Sequence, residues 1–328
     1  MKTLKIILIL LGFVCLLAFA AGTYVKVALP NVGPAPDLKI VSKPSRLENG
    51  KYLANHVSVC MDCHSSRDWT KFAGPMQDKG FGAGGEVFNQ KMGFPGNYIA
   101  PNLTPYSLRN WTDGEIFRAI TTGVNKDGKA LFPVMAAHRF GTMDKQDIYD
   151  IIVYLRTLKA VKHDVAKSES DFPVNFLINT MPKKANFQQK PNPADSIKYG
   201  AYLVNAAGCV DCHSKTDKGA IIKGTEFGGG MEFGLPTGIV RSSNITPDES
   251  TGIGQWNKIA FIARFKNFEA GKHTPVVVKE GMNTPMPWTM YAGMNEKDLG
   301  AIYTYLQSLK PIKNQVERFT LSSPKQDK

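Results

Sequence analysis

The stretch Cys60-Met61-Asp62-Cys63-His64 recurs 149 positions later as Cys209-Val210-Asp211-Cys212-His213. Two cysteines separated by two residues, with histidine next, form the attachment signature of covalent haem c. The spacing has a physical cause. The two thiols add to vinyl groups on neighbouring pyrrole rings, so they stand about one helical turn apart. The adjoining histidine then projects beneath the ring and binds iron through its imidazole. With five cysteines and six histidines in the chain, one such pattern by chance is rare, and two at matching places are rarer. A zinc site would bring its two Cys-x-x-Cys pairs within ~15–20 residues of each other. A redox dithiol would sit near a βαβ pattern, which the flanking sequence lacks. Cys60, Cys63, Cys209 and Cys212 are therefore read as the attachment points of two haems, with His64 and His213 as iron ligands.

The motifs are the most visible part of a longer repeat. Met143 to Lys159 reads MDKQDIYDIIVYLRTLK, and Met294 to Lys310, 151 positions on, reads MNEKDLGAIYTYLQSLK. Between motif and terminal segment lie Asn102-Leu103-Thr104-Pro105 and Asn244-Ile245-Thr246-Pro247, each followed by a tryptophan, Trp111 or Trp256. The order of parts is the same in both copies while loop lengths differ, which is the signature of two tandem domains. The terminal segments carry apolar residues at helical spacing, Ile148, Ile151, Ile152 and Leu155 in one and Leu299, Ile302 and Leu306 in the other. Asp144 and Asn295 are their expected N-caps, and Thr112 with Glu115 forms a capping box. Short helices are expected over Asn49 to Cys60 and Ser196 to Ala207, and loops or small hairpins over the glycine-rich Gly80 to Gly96 and Gly224 to Gly238.

Each iron needs a second axial ligand, and a thioether favours reduced iron and raises the potential. Met135 and Met286 stand at corresponding places, each closely preceded by a proline and followed by the terminal helix. Met143, Met290 and Met294 read as packing residues. His138, three residues after Met135, is an alternative ligand, read in preference as a surface or haem-edge histidine. Pro75 is the expected carbonyl partner of the His64 imidazole. Asn102 and Asn244 are candidates for bonding haem propionates, with a simple Asn-x-Thr-Pro turn as the alternative.

At the N-terminus, Lys2 and Lys5 precede an uncharged run from Ile6 to Val25. Such a run, as a helix, rises ~30 Å and matches a bilayer core. Positive charge before it predicts the N-terminus inside and the remainder outside. Ala18-Phe19-Ala20 offers a competing signal-cleavage site, and either reading exports the chain. The net charge is +12, yet no nucleic-acid motif accompanies it. Expected partners are redox proteins and the membrane, not nucleic acid.

From Asn49 to Ile312 the chain resembles the cytochrome c domains of membrane-bound cytochrome subunits of bacterial alcohol and gluconate dehydrogenases. The shared marks are Cys209 to His213, Asn244 to Trp256, Met286-Pro287 and Tyr305 to Leu309. Two departures stand out. Those subunits carry three haem motifs where this chain has two, and Ala136 stands where proline would follow the first axial methionine. The resemblance implies an all-α fold of two tandem class I cytochrome c domains, each wrapped around a covalent haem, behind a membrane helix. The expected boundaries are an anchor or signal over 1–30, a first domain over 31–165, a linker over 166–193, a second domain over 194–318 and a polar tail over 319–328. The expected function is electron transfer between a dehydrogenase or quinol-oxidising partner and an acceptor such as an oxidase or small cytochrome. The chain is expected to sit in the cytoplasmic membrane with its haem domains in the periplasm and to have no catalytic site of its own. A two-haem peroxidase is the alternative, and it would need one iron open to peroxide.

Overall fold

The computed structural model describes residues 2–77, 79–272, 274 and 276–321. Helix α1 (Lys2–Val27) leads in and buries none of its residues. By length and composition it is able to cross a membrane. Next come α2 (Pro44–Tyr52), a π-helical turn (Leu53–Val57) and the single turn α3 (Cys60–Cys63). A small sheet begins with β1 (Val87–Phe88) and β2 (Gly96–Ile99). Helices α4 (Pro105–Leu108), α5 (Asp113–Thr122), α6 (Ala137–Phe140) and α7 (Lys145–Thr157) follow, then β3 (Glu169–Ser170) and α8 (Val174–Leu177). The second half runs α9 (Ser196–Ala207), α10 (Cys209–Cys212), β4 (Thr216–Asp217), β5 (Ala220–Ile221), β6 (Glu232–Leu235) and β7 (Gly238–Arg241). It ends with α11 (Lys258–Lys266), α12 (Trp288–Tyr291), α13 (Glu296–Gln307) and β8 (Phe319–Leu321).

In each half the core forms where the helix before the cysteine turn crosses the terminal helix. Ile148, Ile152 and Leu299 are fully buried there, each contributing ~1.5–3 kcal/mol of apolar burial. Gly50 and Gly200 make the crossings close. A Cβ on Gly50 would strike the Asp150 carbonyl, and one on Gly200 the Ala301 carbonyl. The capping box at Thr112 and Glu115 forms, and Asp144 and Asn295 cap α7 and α13.

The two halves differ by one residue between helix and cysteine turn. Tyr52 and Tyr202 are 150 positions apart, but Cys60 and Cys209 are 149 apart. The extra residue is taken up as the π-turn, where the Ser58 N–H donates to Leu53 O at 2.7 Å. α9 has no such insertion and ends regularly on Gly208.

The halves dock through a pseudo-two-fold interface. The Tyr52 hydroxyl donates to Asp298 Oδ2 at 2.7 Å and accepts from the Asn295 N–H. The Tyr202 hydroxyl donates to Asp147 Oδ2 at 2.6 Å and accepts from the Asp144 N–H. Each tyrosine thus sits on the N-terminus of the other half's terminal helix. Burial and the adjoining carboxylate push both hydroxyl pKa values up, so both remain donors. A second reciprocal pair links His56 to Met290 O and Arg139 to the Asn205 and Ala206 carbonyls.

The all-α expectation needs amending, because among the described residues eight short strands form three small sheets. Runs of two to four residues, with glycine at Gly96 and Gly238, carry no alternating pattern that sequence reading detects. Equivalent three-stranded sheets, β1-β2-β3 and β6-β7-β8, appear in the two halves. Strand β3 lies beyond the expected boundary at 165, and β8 lies within the expected tail, where it pairs with β7. Residues 322–328 of that tail lie outside the described residues. The 166–193 segment packs onto the first half, with Asn186 N–H bonded to Gly141 O and Phe187 stacked on Phe117.

Candidate haem centres

Both cysteine motifs fold as one helical turn entered through a left-handed residue. That residue is Val59 (φ 43°) in the first half and Gly208 (φ 71°) in the second. Glycine adopts this region freely, whereas a β-branched residue there is strained. The turn closes with the histidine N–H bonded to the first cysteine's carbonyl, at 3.1 Å for His64 and 2.9 Å for His213. Both thiols of each motif therefore lie on one turn, the spacing that two vinyl additions require.

Each histidine is oriented by a backbone carbonyl. His64 Nδ1 lies 2.7 Å from Pro101 O, and His213 Nδ1 lies 2.7 Å from Ser243 O. A carbonyl only accepts, so each ring donates through Nδ1 and keeps the Nε2 lone pair for a metal. Burial lowers both imidazole pKa values and favours the neutral, ligating form. The expected partner, Pro75, instead accepts the Asp68 N–H at 2.9 Å. A glycine pair holds the true partner in place. Gly84 N–H bonds His64 O and Gly85 N–H bonds Ala100 O; Gly229 N–H bonds His213 O and Gly230 N–H bonds Ser242 O. A Cβ on Gly84 or Gly229 would strike the backbone that carries the accepting carbonyl.

Met135 and Met286 occupy one local geometry. The residue after each makes an inverse γ-turn, Ala136 at φ −70°, ψ 46° and Pro287 at φ −80°, ψ 62°. Met135 O accepts from Ala137 N–H at 2.6 Å and Met286 O from Trp288 N–H at 2.8 Å. Ala136 thus reproduces the proline conformation. Both methionines are half-buried against the core, whereas Met143, Met290 and Met294 are fully buried packing residues.

Asn102 and Asn244 do not face outward for propionates. The Asn102 amide accepts from the Thr104 N–H and hydroxyl and donates to Val161 O and His163 O. Asn244 accepts from the same two groups of Thr246 and donates to Thr251 Oγ1 and Ile312 O. Both lone pairs and both N–H groups are used, so these residues clamp the turn to the segment after the terminal helix. His138 lies 3.3 Å from Asp211 Oδ2, across the interface and half exposed. Arg139 pairs with the same carboxylate at 2.7 Å. Burial raises the Asp211 pKa, but His138 and Arg139 outweigh it and hold the carboxyl below its usual range. The Arg139 charge is felt by both the Cys60 and Cys209 thiols, which burial pushes up to about 12. A redox-active dithiol requires the opposite shift. Among the described residues no group of three or more His, Cys, Asp and Glu side chains is placed to hold a metal ion. One axial imidazole with a free Nε2, one helical turn of two cysteines and one thioether per half is a donor set that fits haem c.

A family model for cytochrome c matches residues 197–310. The chain carries a cytochrome c domain. A cytochrome c domain implies covalently bound haem c, and this one spans α9, the second cysteine motif, α11, Met286 and α13. Over 311 residues the chain is 25% identical to the cytochrome c subunit of a quinone alcohol dehydrogenase from Gluconacetobacter polyoxogenes, covering 90% of this chain and 61% of that subunit. The chain is also similar to the gluconate 2-dehydrogenase cytochrome c subunit of Pantoea cypripedii, 36% identical over 118 residues, 35% of this chain and 24% of that subunit. A "Diheme cytochrome c-type" protein of Cereibacter sphaeroides is 23% identical over 267 residues, 77% of this chain and 82% of its own length. The chain thus spans about three fifths of the length of that alcohol dehydrogenase subunit. The resemblance is to cytochrome c subunits of dehydrogenases and to a diheme cytochrome c-type protein.

Proposed function

We propose that the chain binds two covalent haems, one per half, and relays electrons between a dehydrogenase or quinol-oxidising partner and a terminal acceptor. The observation that carries this reading is the repetition of one constellation. His64 with Pro101 O and His213 with Ser243 O share a distance of 2.7 Å, and the two methionines share a γ-turn. The two halves are tandem cytochrome c domains in this reading, and α1 anchors them at the periplasmic face of the cytoplasmic membrane.

Haem c, when bound, supplies one-electron cycling between Fe(III) and Fe(II). Cys60 and Cys63 hold one haem, and Cys209 and Cys212 the other. The His64 and His213 rings are fixed in tautomer and direction by their carbonyls. Met135 and Met286 would offer soft sulfur to the iron, which would stabilise the reduced state and close the site to substrates. The interface brings the two attachment turns toward Arg139, whose charge both motifs feel. That proximity supports passage of an electron between halves.

Ligand access tests the carrier reading against the peroxidase one. The reduced full-length protein should bind carbon monoxide poorly, and peroxide turnover should be negligible. A high-spin haem with steady peroxide reduction would replace the carrier with a peroxidase.

A further inference from the structure

Three large apolar side chains project from the segment between the two halves. Phe172 is 85% exposed, and Phe176 and Leu177 are 38% and 42% exposed. They are not on a loose tether. The preceding strand β3 is paired with β2, which ties the segment to the first half. The turn itself is closed by Asn175 N–H to Asp171 O and by Phe176 and Leu177 N–H to Pro173 O. On its other side the segment rests on the C-terminal end of α1. Phe176 Cζ lies 3.7 Å from where a Cβ on Gly22 would stand, and Asn179 Nδ2 donates to Val25 O at 3.4 Å. Held water-exposed, such rings are unfavourable.

Their neighbourhood indicates what covers them. The residues of α1 they adjoin, Gly22 to Val25, end its apolar run, and Lys26 follows. Tyr24, 59% exposed, stands at the same level, where aromatic residues mark a membrane–water boundary. Lys183 and Lys184 follow the turn and are exposed, and lysines beside an apolar turn are drawn to anionic headgroups. We infer that the Phe172–Leu177 turn is a second membrane contact, seated among the headgroups of an anionic bilayer at the leaflet where α1 emerges. The inference rests on the reading of α1 as a membrane anchor. Its consequence is a fixed posture: the first half is held to the bilayer at two points, so the haem domains cannot swivel freely about α1.

The test uses the full-length, haem-loaded chain with Cys15→Ser, in nanodiscs of phosphatidylcholine and phosphatidylglycerol. A single nitroxide is placed by Phe172→Cys or Leu177→Cys. Phe19→Cys in α1 and Ile259→Cys, on an exposed face of the second half, serve as references. Collision with oxygen and with a water-soluble nickel chelate is measured by power saturation. Positions 172 and 177 should favour oxygen over nickel severalfold more than position 259. If position 19 is in lipid while 172 and 177 behave like 259, the anchor stands and the second contact is wrong. If both probes are shielded from oxygen and nickel alike, protein covers the turn and the inference is overturned. If position 19 itself collides freely with nickel, the anchor reading fails and this inference fails with it.

Discussion

His64 and His213 are each aimed by one carbonyl, and in the proposed sites the methionine of the same half would decide what the iron can bind. Met286→Ala should open the second site, raise carbon monoxide binding by the reduced protein and lower that haem's potential, because thioether ligation favours Fe(II). Redox titration followed optically separates the two haems, and an unchanged potential at the second would remove Met286 from the ligand set. Gly208 is more local. With φ at 71° and Arg139 lying where its Cβ would go, Gly208→Ala should cost about 1–2 kcal/mol for the left-handed conformation, with the Arg139 contacts displaced in addition. Thermal unfolding measures it. At this scale the cysteines and histidines were legible in the sequence because their chemistry demands contiguous spacing. The carbonyl partners were not, because a backbone acceptor leaves no residue signature and Pro101 and Ser243 share no side-chain chemistry. The available clue was positional: both stand immediately before the repeated Asn-x-Thr-Pro, and a glycine pair follows each histidine.

The Asn-x-Thr-Pro turns show how an element is pinned. Asn244 is 4% exposed and makes four hydrogen bonds that join the turn to Ile312 and Thr251. Asn244→Ala strands the Thr246 N–H and leaves the Ile312 carbonyl only the 3.4 Å contact from the Thr246 hydroxyl, a loss of about 1–3 kcal/mol by the usual cost of buried unpaired groups. Denaturant melts of the variant check the size, and a change under about half a kcal/mol would contradict the clamp. Helices and caps were readable because apolar spacing and capping residues are local. The π-turn at Leu53–Val57 was hidden, since it appears in the sequence only as a one-residue drift between repeats. Strands β1 and β6 fall in the glycine-rich stretches read as loops or small hairpins, but β3 and β8 were hidden, being held by pairing with residues far along the chain, such as Leu321 with Gly238.

Across the whole molecule, the reciprocal tyrosines join the halves as a two-fold dimer would. Tyr52→Phe and Tyr202→Phe each remove a donor from a buried carboxylate, at about 1.5–3 kcal/mol apiece, and similar losses are expected from both by symmetry. His56 adds a pH dependence. Burial lowers its pKa from the ordinary 6.5 while Met290 O accepts its bond. The folded state therefore resists protonation that the unfolded chain accepts. Its contribution to stability is complete above pH ~6.5 and is lost as pH falls below it, by at most 1.4 kcal/mol per pH unit. His56→Gln should flatten that part of the curve, and an unaltered slope would exclude His56. The recurrence of parts was visible in the sequence, but the docking of the two halves was not, because an interface between repeats leaves no period of its own. The account turns on two haems in one chain. Mass spectrometry of the protein produced with haem c maturation should find two covalent haems, and one in each of Cys60→Ala/Cys63→Ala and Cys209→Ala/Cys212→Ala. A single haem in the unaltered chain, or two retained in either variant, would contradict it.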